Sequence, residues 1–197
     1  MNKNRLEAFS DGVLAILITI MVLDLKIPSG TTLESLRPLL PVFLSYVLSF
    51  AFLGIYWNNH HHMLHTVKHV TGGILWANIH LLFWLSLVPF VTGWMGEHNF
   101  AKVPIALYGV ILLMSAIAYY ILQQTILSGH GKDSILARAV GKDLKGKMSP
   151  PLYTLGIISS FFNEWIALGL YTLVAVIWFI PDKRIERILE EEKKEGK

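Results

Sequence analysis

The chain has 197 residues, of which 53% are apolar and only 16% are charged, and its mean hydropathy is positive. This composition is typical of a multi-pass membrane protein and excludes an ordinary soluble domain. The sequence contains no cysteine, which excludes disulfides and thiolate metal sites. It also contains no phosphate-binding loop and no nucleophile elbow, so it predicts neither an enzyme nor a nucleic-acid partner.

The first apolar segment, residues 6–25, has a length that corresponds to about 30 Å of helix and predicts a membrane span. Asp11 lies near the first third of this segment. Because an ionisable group at that depth costs about 3 kcal/mol or more, it needs a partner or a function. A cleaved signal peptide is atypical here, because Asp11 interrupts the apolar run and the polar residues Asp24 and Lys26 end it. We therefore expect the helix to be retained.

The first helix has one face of apolar and small residues when it is phased at about 100° per residue. The members of this stripe lie within about 60° of one line and are Phe9, Gly12, Val13, Ile16, Thr19, Ile20 and Leu23. Asp11 lies about 140° from that line. Ordinary helix packing is one explanation of such a stripe. The offset predicts that Asp11 points toward other helices of the same chain.

Three further apolar segments are each long enough for a span, namely residues 39–57, 74–94 and 103–126. The last apolar block, residues 152–180, has 29 residues. One helix of that length is too long for a simple span, and Asn163 and Glu164 divide the block in the middle. The sequence therefore predicts a helical hairpin there and an all-α membrane protein with six transmembrane helices.

The distribution of basic residues favours six spans over five. With six spans, 14 of the 17 Lys and Arg residues lie on the same side as the N-terminus, and the exceptions are Lys26, Arg37 and Lys102. By the positive-inside rule both termini are then cytoplasmic. We expect residues 1–181 to form the transmembrane domain and residues 182–197 to form a charged cytoplasmic helix or tail.

A cluster of histidines follows the second span, at a helix end that we expect to be exposed to water. His61, His65 and His69 recur every four residues and could share one helix face, and neutral imidazole is a common metal ligand. A metal-ion-binding membrane protein that uses residues 60–69 is therefore one alternative function. The cluster contains no acidic residue and the other histidines are scattered, so we predict no metal site and no cofactor.

Two short patterns in the sequence resemble a known family. The first pattern opens the first span and consists of Arg5, Phe9, Ser10 and Asp11. It resembles the signature of the endolysosomal potassium channel family known as transmembrane protein 175. The second pattern consists of Trp57, His60 and His61. It resembles the part of the second helix whose polar side chains pair with the signature in that family, which implies that these residues form a structural network and supply a partner for Asp11.

The resemblance also implies a prokaryotic single-repeat member that assembles as a homotetramer, with the first helix of each copy lining a central pore. In the family a ring of bulky apolar side chains forms the constriction, and its position matches Ile16. The resemblance places a hydroxyl one turn further at Thr19 and further apolar rings at Ile20 and Leu23. We place two more residues at the pore mouth, Gly12 and Asp24.

This arrangement predicts passive potassium conduction with weak to moderate selectivity over sodium. No Thr-Val-Gly-Tyr-Gly filter is present, so the apolar rings, rather than a carbonyl cage, are expected to form the constriction and gate. The expected partners are other copies of the chain, membrane lipids and permeant K⁺. The expected location is a prokaryotic cell membrane.

A secondary transporter is a second alternative function. Transporters usually carry internal repeats and helices that are broken near the middle of the membrane. Here the signature occurs once, and the first helix has no Gly or Pro between Val13 and Leu23. Because one unbroken helix cannot enclose a pore, a pore must come from several subunits around a symmetry axis.

Overall fold

The computed structural model describes residues 2–130 and 144–179, and the regular structure in this part of the chain is helical. Short 3-10 segments extend the first helix as Met21–Asp24 and precede the second as Leu33–Leu39. The α-helices are, in chain order, α1 Lys3–Ile20, α2 Leu40–His65, α3 Gly72–Ser86, α4 Val88–Glu97, α5 Lys102–His130, α6 Leu144–Ser160 and α7 Glu164–Phe179. The predicted charged tail, residues 182–197, and most of the predicted basic loop lie outside the described residues.

α3 and α4 form one bent segment. Pro89 has no N–H to donate to the carbonyl of Leu85, and the chain turns at Leu87, whose N–H donates instead to Trp84 O at 3.2 Å. The sequence predicted a span over residues 74–94, and Gly72–Glu97 is long and apolar enough to cross a membrane. The bend within this span arises because the proline removes the hydrogen bond that would continue a straight helix.

The described residues thus form six helical segments of an all-α membrane protein, which confirms the predicted fold class. Four segments are long and apolar enough to cross a membrane, namely Lys3–Asp24, Leu33–His65, Gly72–Glu97 and Lys102–Gly129. α6 and α7, with 17 and 16 described residues, each extend about 25 Å.

The two last helices form the predicted hairpin. The chain turns between Ser160 and Glu164, and the side chain of Asn163 accepts the N–H of Trp165 at 2.9 Å, which caps the start of α7. Lys102 Nζ donates to Phe161 O at 3.0 Å and so satisfies one of the free carbonyls at the end of α6. The hairpin prediction is confirmed, and the cap explains where the apolar block is divided.

Two predicted helix ends differ from the structure. α1 loses its α-helical geometry after Ile20 and ends in a 3-10 turn. α2 continues to His65, and its last turns are not uniformly exposed to water, because His60, Met63 and Leu64 are buried. The expectation of an exposed histidine segment is therefore wrong for His60, which packs toward α3.

Close packing holds α5, α6 and α7, the outer helices, together. Tyr171 of α7 is fully buried and lies against two glycines, Gly109 of α5 and Gly156 of α6. A Cβ atom at either glycine would overlap the tyrosine ring or its hydroxyl. The absence of a side chain at these positions therefore lets three helices meet around one aromatic ring.

A chain of buried hydroxyls joins α4 to α2 and α5. Thr92 Oγ1 lies 2.6 Å from Ser49 Oγ, and Ser49 Oγ lies 3.0 Å from the hydroxyl of Tyr108. Next to this chain, a Cβ at Gly96 would lie only 2.7 Å from Val42 Cα. These contacts fix α4 against α2.

Candidate functional site

α1 packs on the other helices of its chain with one face. The buried residues of α1 and its 3-10 extension recur every three or four positions and are Leu6, Ser10, Leu14, Leu17 and Met21. Four of these side chains are apolar and belong to the core of the chain. α1 is therefore held in one rotational setting, in which its opposite face points away from the other helices.

The outward face of α1 carries the stripe that was identified in the sequence. Ile16 is 62% exposed and Leu23 is 76% exposed, although both are large and apolar. The other exposed members are Phe9, Gly12, Thr19 and Ile20, while Val13 is half-buried at the margin. An apolar face of this extent on a single chain marks a surface that another molecule or the lipid covers.

Thr19 places a hydroxyl in the middle of the outward face. Its Oγ1 lies 2.9 Å from Ala15 O and 3.1 Å from Ile16 O, and it donates its hydrogen back to the helix. Because the hydrogen is used in this way, the oxygen lone pairs are left to face outward. The outward face therefore carries a hydroxyl oxygen at Thr19, between the apolar side chains of Ile16 and Ile20.

The carboxylate of Asp11 lies on the side of α1 that faces α2. Trp57 Nε1 donates a hydrogen bond of 3.0 Å to Asp11 Oδ1. The ring of His61 stacks on the Trp57 indole at a centroid distance of 6.1 Å. The half-buried acid thus has an indole partner on α2, and His61 contacts the indole ring rather than the acid.

Ser10, the neighbour of Asp11, begins a second and fully buried network. Asn78 Nδ2 on α3 donates to Ser10 Oγ at 3.0 Å, and Asn78 Oδ1 lies 2.7 Å from His60 Nε2. Since an amide oxygen only accepts, this arrangement assigns the imidazole hydrogen to Nε2. Ser10 in turn donates to Leu6 O at 2.9 Å. This network joins α1, α2 and α3 at one point.

Asn78 was not identified from the sequence, although it connects the two predicted patterns. A signal was present, because an amide in the middle of an apolar span is rare and usually faces the protein interior. Arg5, which belongs to the predicted network, is exposed. The basic contact with α2 comes instead from Lys3, whose Nζ donates to His65 O at 2.6 Å.

The histidine segment is divided by the structure. His60 belongs to the buried network, whereas the ring of His61 lies 5.8 Å from that of His65 in an edge-on arrangement. His69 follows the end of α2. Among the described residues, no group of three or more His, Asp or Glu side chains is placed to hold a metal ion.

The end of α1 lies close to the end of α4. Lys26 Nζ donates to Glu97 Oε1 at 2.7 Å, and this hydrogen bond raises the pKa of Lys26 above its ordinary value. Asp24 packs against Gly93, because its Oδ2 would lie 2.9 Å from a Cβ at that position. Glu97 was not identified from the sequence as part of this end of the molecule.

The fold and this site define an integral membrane protein with several spans, whose first helix has an uncovered apolar face and a polar network behind it. The sequence matches the family described as the endosomal/lysosomal potassium channel TMEM175 over residues 5–89. That match covers α1, the second span, α3 and the start of α4.

Two relatives named potassium channels extend the match to nearly the whole chain. A potassium channel of Chryseobacterium sp. is 59% identical over 191 residues, which are 97% of this chain and 100% of the relative. A potassium channel of Chamaesiphon minutus is 31% identical over 87% of this chain and 91% of its own.

A solved structure has the same fold. It is the crystal structure of a lysosomal potassium-selective channel TMEM175 homolog from Chamaesiphon minutus, with 30% identity and a TM-score of 0.79. The superposition covers 91% of this chain and 97% of the other. The chain therefore belongs to the TMEM175 family of potassium channels, as the two sequence patterns predicted.

Proposed function

We propose that this protein is a passive potassium channel in a prokaryotic cell membrane, with both termini in the cytoplasm. The pore is formed by α1 helices from four copies of the chain around one axis. The observation that carries the proposal is the outward face of α1, where Ile16, Ile20 and Leu23 are exposed in the single chain. The relatives named potassium channels, and the potassium-selective structural neighbour, support the choice of ion.

The rotational setting of α1 supports a pore at this face. Leu14 and Leu17 anchor the helix to its own subunit, and so leave Ile16 directed away from it. One helix cannot enclose a pore, but a cyclic assembly brings the same face of each copy to a common axis. In a tetramer in which the outward face of each α1 points to the central axis, the apolar stripe and the Thr19 hydroxyls would be buried together.

Ile16 forms the constriction in this proposal. Its branched side chain is the most exposed large apolar one in the α-helical part of the stripe. Four such side chains around an axis offer an ion no ligand atoms in place of its hydration water. A closed ring of them therefore excludes both water and ions. Ile20 and Leu23 add further apolar rings toward the end of α1.

Thr19 supplies weak to moderate selectivity for potassium over sodium. Its hydroxyl donates to the helix backbone, so that a ring of four oxygens faces the axis just beyond the constriction. Potassium gives up hydration water more readily than sodium. A narrow apolar ring followed by a few oxygen ligands therefore favours potassium, although less strongly than a complete carbonyl filter does.

The two hydrogen-bonded networks behind α1 have a structural role. Asp11 contacts Trp57, and Ser10 contacts Asn78, on the side of the helix opposite the stripe. Neither the Asp11 carboxylate nor the Asn78 amide lies on the outward face of α1, which an ion would pass. We assign these residues to holding α1 in its rotational setting, and thereby to placing Ile16 on the axis.

Reconstitution of the purified full-length chain tests the proposal. Liposomes loaded with potassium and placed in potassium-free buffer should lose it once a protonophore lets protons enter to balance the charge, and protein-free liposomes under the same conditions should not. Native mass spectrometry or crosslinking of the same preparation should give four subunits. A preparation that is folded but carries no potassium flux would contradict the function, and a monomer that conducts would contradict the pore.

A further inference from the structure

A cavity of about 600 Å³ lies between the end of α1 and the bent α3–α4 segment. Ile20 and Leu23 line it on the α1 side, and Pro89 lines it on the other. This volume is typical of sites that bind small organic molecules. Since Ile20 and Leu23 also belong to the stripe, the cavity adjoins the surface to which we assign the pore.

The far wall of the cavity is aromatic. The rings of Phe90 and Trp94 stack at a centroid distance of 6.2 Å with an interplanar angle of 25°. Phe90 is 62% exposed, so its ring is accessible to an occupant of the cavity. The faces of aromatic rings attract cations, and tryptophan attracts them most strongly.

The polar rim of the cavity is negatively charged. It carries the carboxylates of Asp24 and Glu97, and Lys26 is paired with Glu97. Two carboxylates and one ammonium leave a net negative charge beside the aromatic wall. Gly93 has no side chain, and this lets the Asp24 carboxylate lie directly against α4, within the cavity lining.

An aromatic wall, an apolar floor and an excess carboxylate are together the features of a site for an organic ammonium ion. A metal ion or potassium would not use the aromatic and apolar lining, and a neutral lipid chain would not use the charge. We infer that this cavity binds an organic ammonium cation that carries an aromatic or alkyl group. The cation lies over the Trp94 ring near Asp24, and its apolar part lies against Ile20 and Leu23.

The consequence of binding rests on the proposed function. Because Ile20 and Leu23 are shared by the cavity and the stripe, an occupant lies at the mouth of the proposed pore and reduces potassium flux from that side. The binding itself does not depend on conduction, and it is measured separately.

Calorimetric titration of the full-length protein in detergent tests the binding, with benzyltrimethylammonium as the probe. We expect saturable binding of this cation. We expect no binding of phenylmethanesulfonate, which has a similar size and the opposite charge, and weaker binding of tetramethylammonium, which lacks the ring. Equal heats for all three compounds, or none for the first, would overturn the inference.

Variants of the cavity locate the site. Asp24→Asn and Trp94→Ala should each weaken the affinity by about tenfold, as expected when one charge or one cation–π contact is lost, while Trp94→Phe should retain most of it. Trp76→Ala and Glu34→Gln, which remove an exposed indole and an exposed carboxylate elsewhere, are the matched controls. Asp24→Asn and Trp94→Phe are conservative changes that should not disturb folding. If the affinity for the cation is unchanged in Asp24→Asn and also in Trp94→Ala, the site lies elsewhere.

The flux assay separates the two hypotheses. Benzyltrimethylammonium should inhibit potassium flux over the same concentration range in which it binds, and inhibition should be weaker in Asp24→Asn. Binding without inhibition in conducting liposomes would overturn the position of the cavity at the pore mouth. If the liposomes do not conduct at all, the proposed function fails, and calorimetry still decides whether the cavity binds the cation.

Discussion

Trp57 Nε1 on α2 donates a hydrogen bond of 3.0 Å to Asp11 Oδ1 on α1. This contact satisfies a carboxylate that lies within an apolar helix, and it does so on the side opposite Ile16. The carboxylate of Asp11 is therefore directed into its own subunit. We therefore propose that Asp11 positions the helix and is not a ligand for the ion.

Asp11→Asn tests this structural role. The amide can still accept from Trp57, but the bond loses its ionic character, so we expect a loss of stability of about 1–2 kcal/mol. Thermal unfolding of the assembly and size-exclusion chromatography measure this loss. The potassium-over-sodium preference should remain that of the wild type. A variant that assembles normally and changes the preference would contradict the assignment.

The buried Ser10–Asn78–His60 network makes a second prediction, in the form of a double-mutant cycle. Asn78→Leu leaves the His60 imidazole buried without its partner, at about 1–3 kcal/mol, whereas Ser10 loses a donor but keeps its bond to Leu6 O. Adding His60→Leu removes the orphaned imidazole. The double variant should therefore be less destabilised than the sum of the two single variants. Strict additivity in chemical or thermal unfolding would show that the contact contributes nothing.

The rotational setting of α1 could be predicted from the sequence because its residues differ sharply around the helix. Ser10 and Asp11 lie away from the stripe, and the leucines at 14 and 17 recur with the helical period. The position of the hairpin turn was also predictable, because Asn163 is a strong helix-capping residue within an apolar block. In both cases one local feature decided the structure.

α2 and α3 could not be phased in the same way, because both are apolar around most of their circumference. Periodicity then does not distinguish the face toward lipid from the face toward protein. The polar residues within these spans carry the information instead: Ser49, His60 and Asn78 are all buried. The bend at Leu87 depends on one proline, and the pairing of Lys26 with Glu97 joins residues that are far apart in the chain.

Gly109→Ala should destabilise the packing of the outer helices. A Cβ atom there would overlap the hydroxyl of Tyr171, and forced overpacking of a core costs about 1–3 kcal/mol. Tyr171→Phe in the same chain should recover part of the loss, because it removes the overlapping oxygen. Gly169→Ala is the matched control, since no atom lies within 4 Å of its Cβ position, and it should be neutral or slightly stabilising. Equal effects at both glycines in thermal unfolding would contradict the packing argument.

Thr19→Val tests the source of ion selectivity. Valine has nearly the same shape but lacks the oxygen, so we expect the reversal potential in mixed potassium and sodium to shift toward that of a non-selective pore. Thr19→Ser keeps the hydroxyl and should keep the preference. The hydroxyl bonds only to its own helix, at Ala15 and Ile16, so stability should change by about 0.5 kcal/mol or less. If the valine variant keeps its reversal potential, selectivity arises at the Ile16 ring.

Ile16 and Leu17 are adjacent in the sequence and lie on different faces of α1, and this allows a direct test of the pore. Ile16 is 62% exposed, whereas Leu17 is buried in the core of the chain. Ile16→Asn places four amides at the constriction, wets it, and should raise ion flux while lowering selectivity. Ile16→Ala should act in the same direction by widening the ring.

The same substitutions at Leu17 should affect folding rather than conduction. Leu17→Ala removes packed core atoms and should destabilise the chain by about 2–5 kcal/mol, whereas Ile16→Ala has little packing within its own subunit to lose. Flux in liposomes and thermal unfolding, measured on all variants, separate the two effects. If Ile16→Asn conducts like the wild type while a folded Leu17 variant leaks ions, then α1 lines the pore with its other face. The position of Ile16 on the axis would then be wrong.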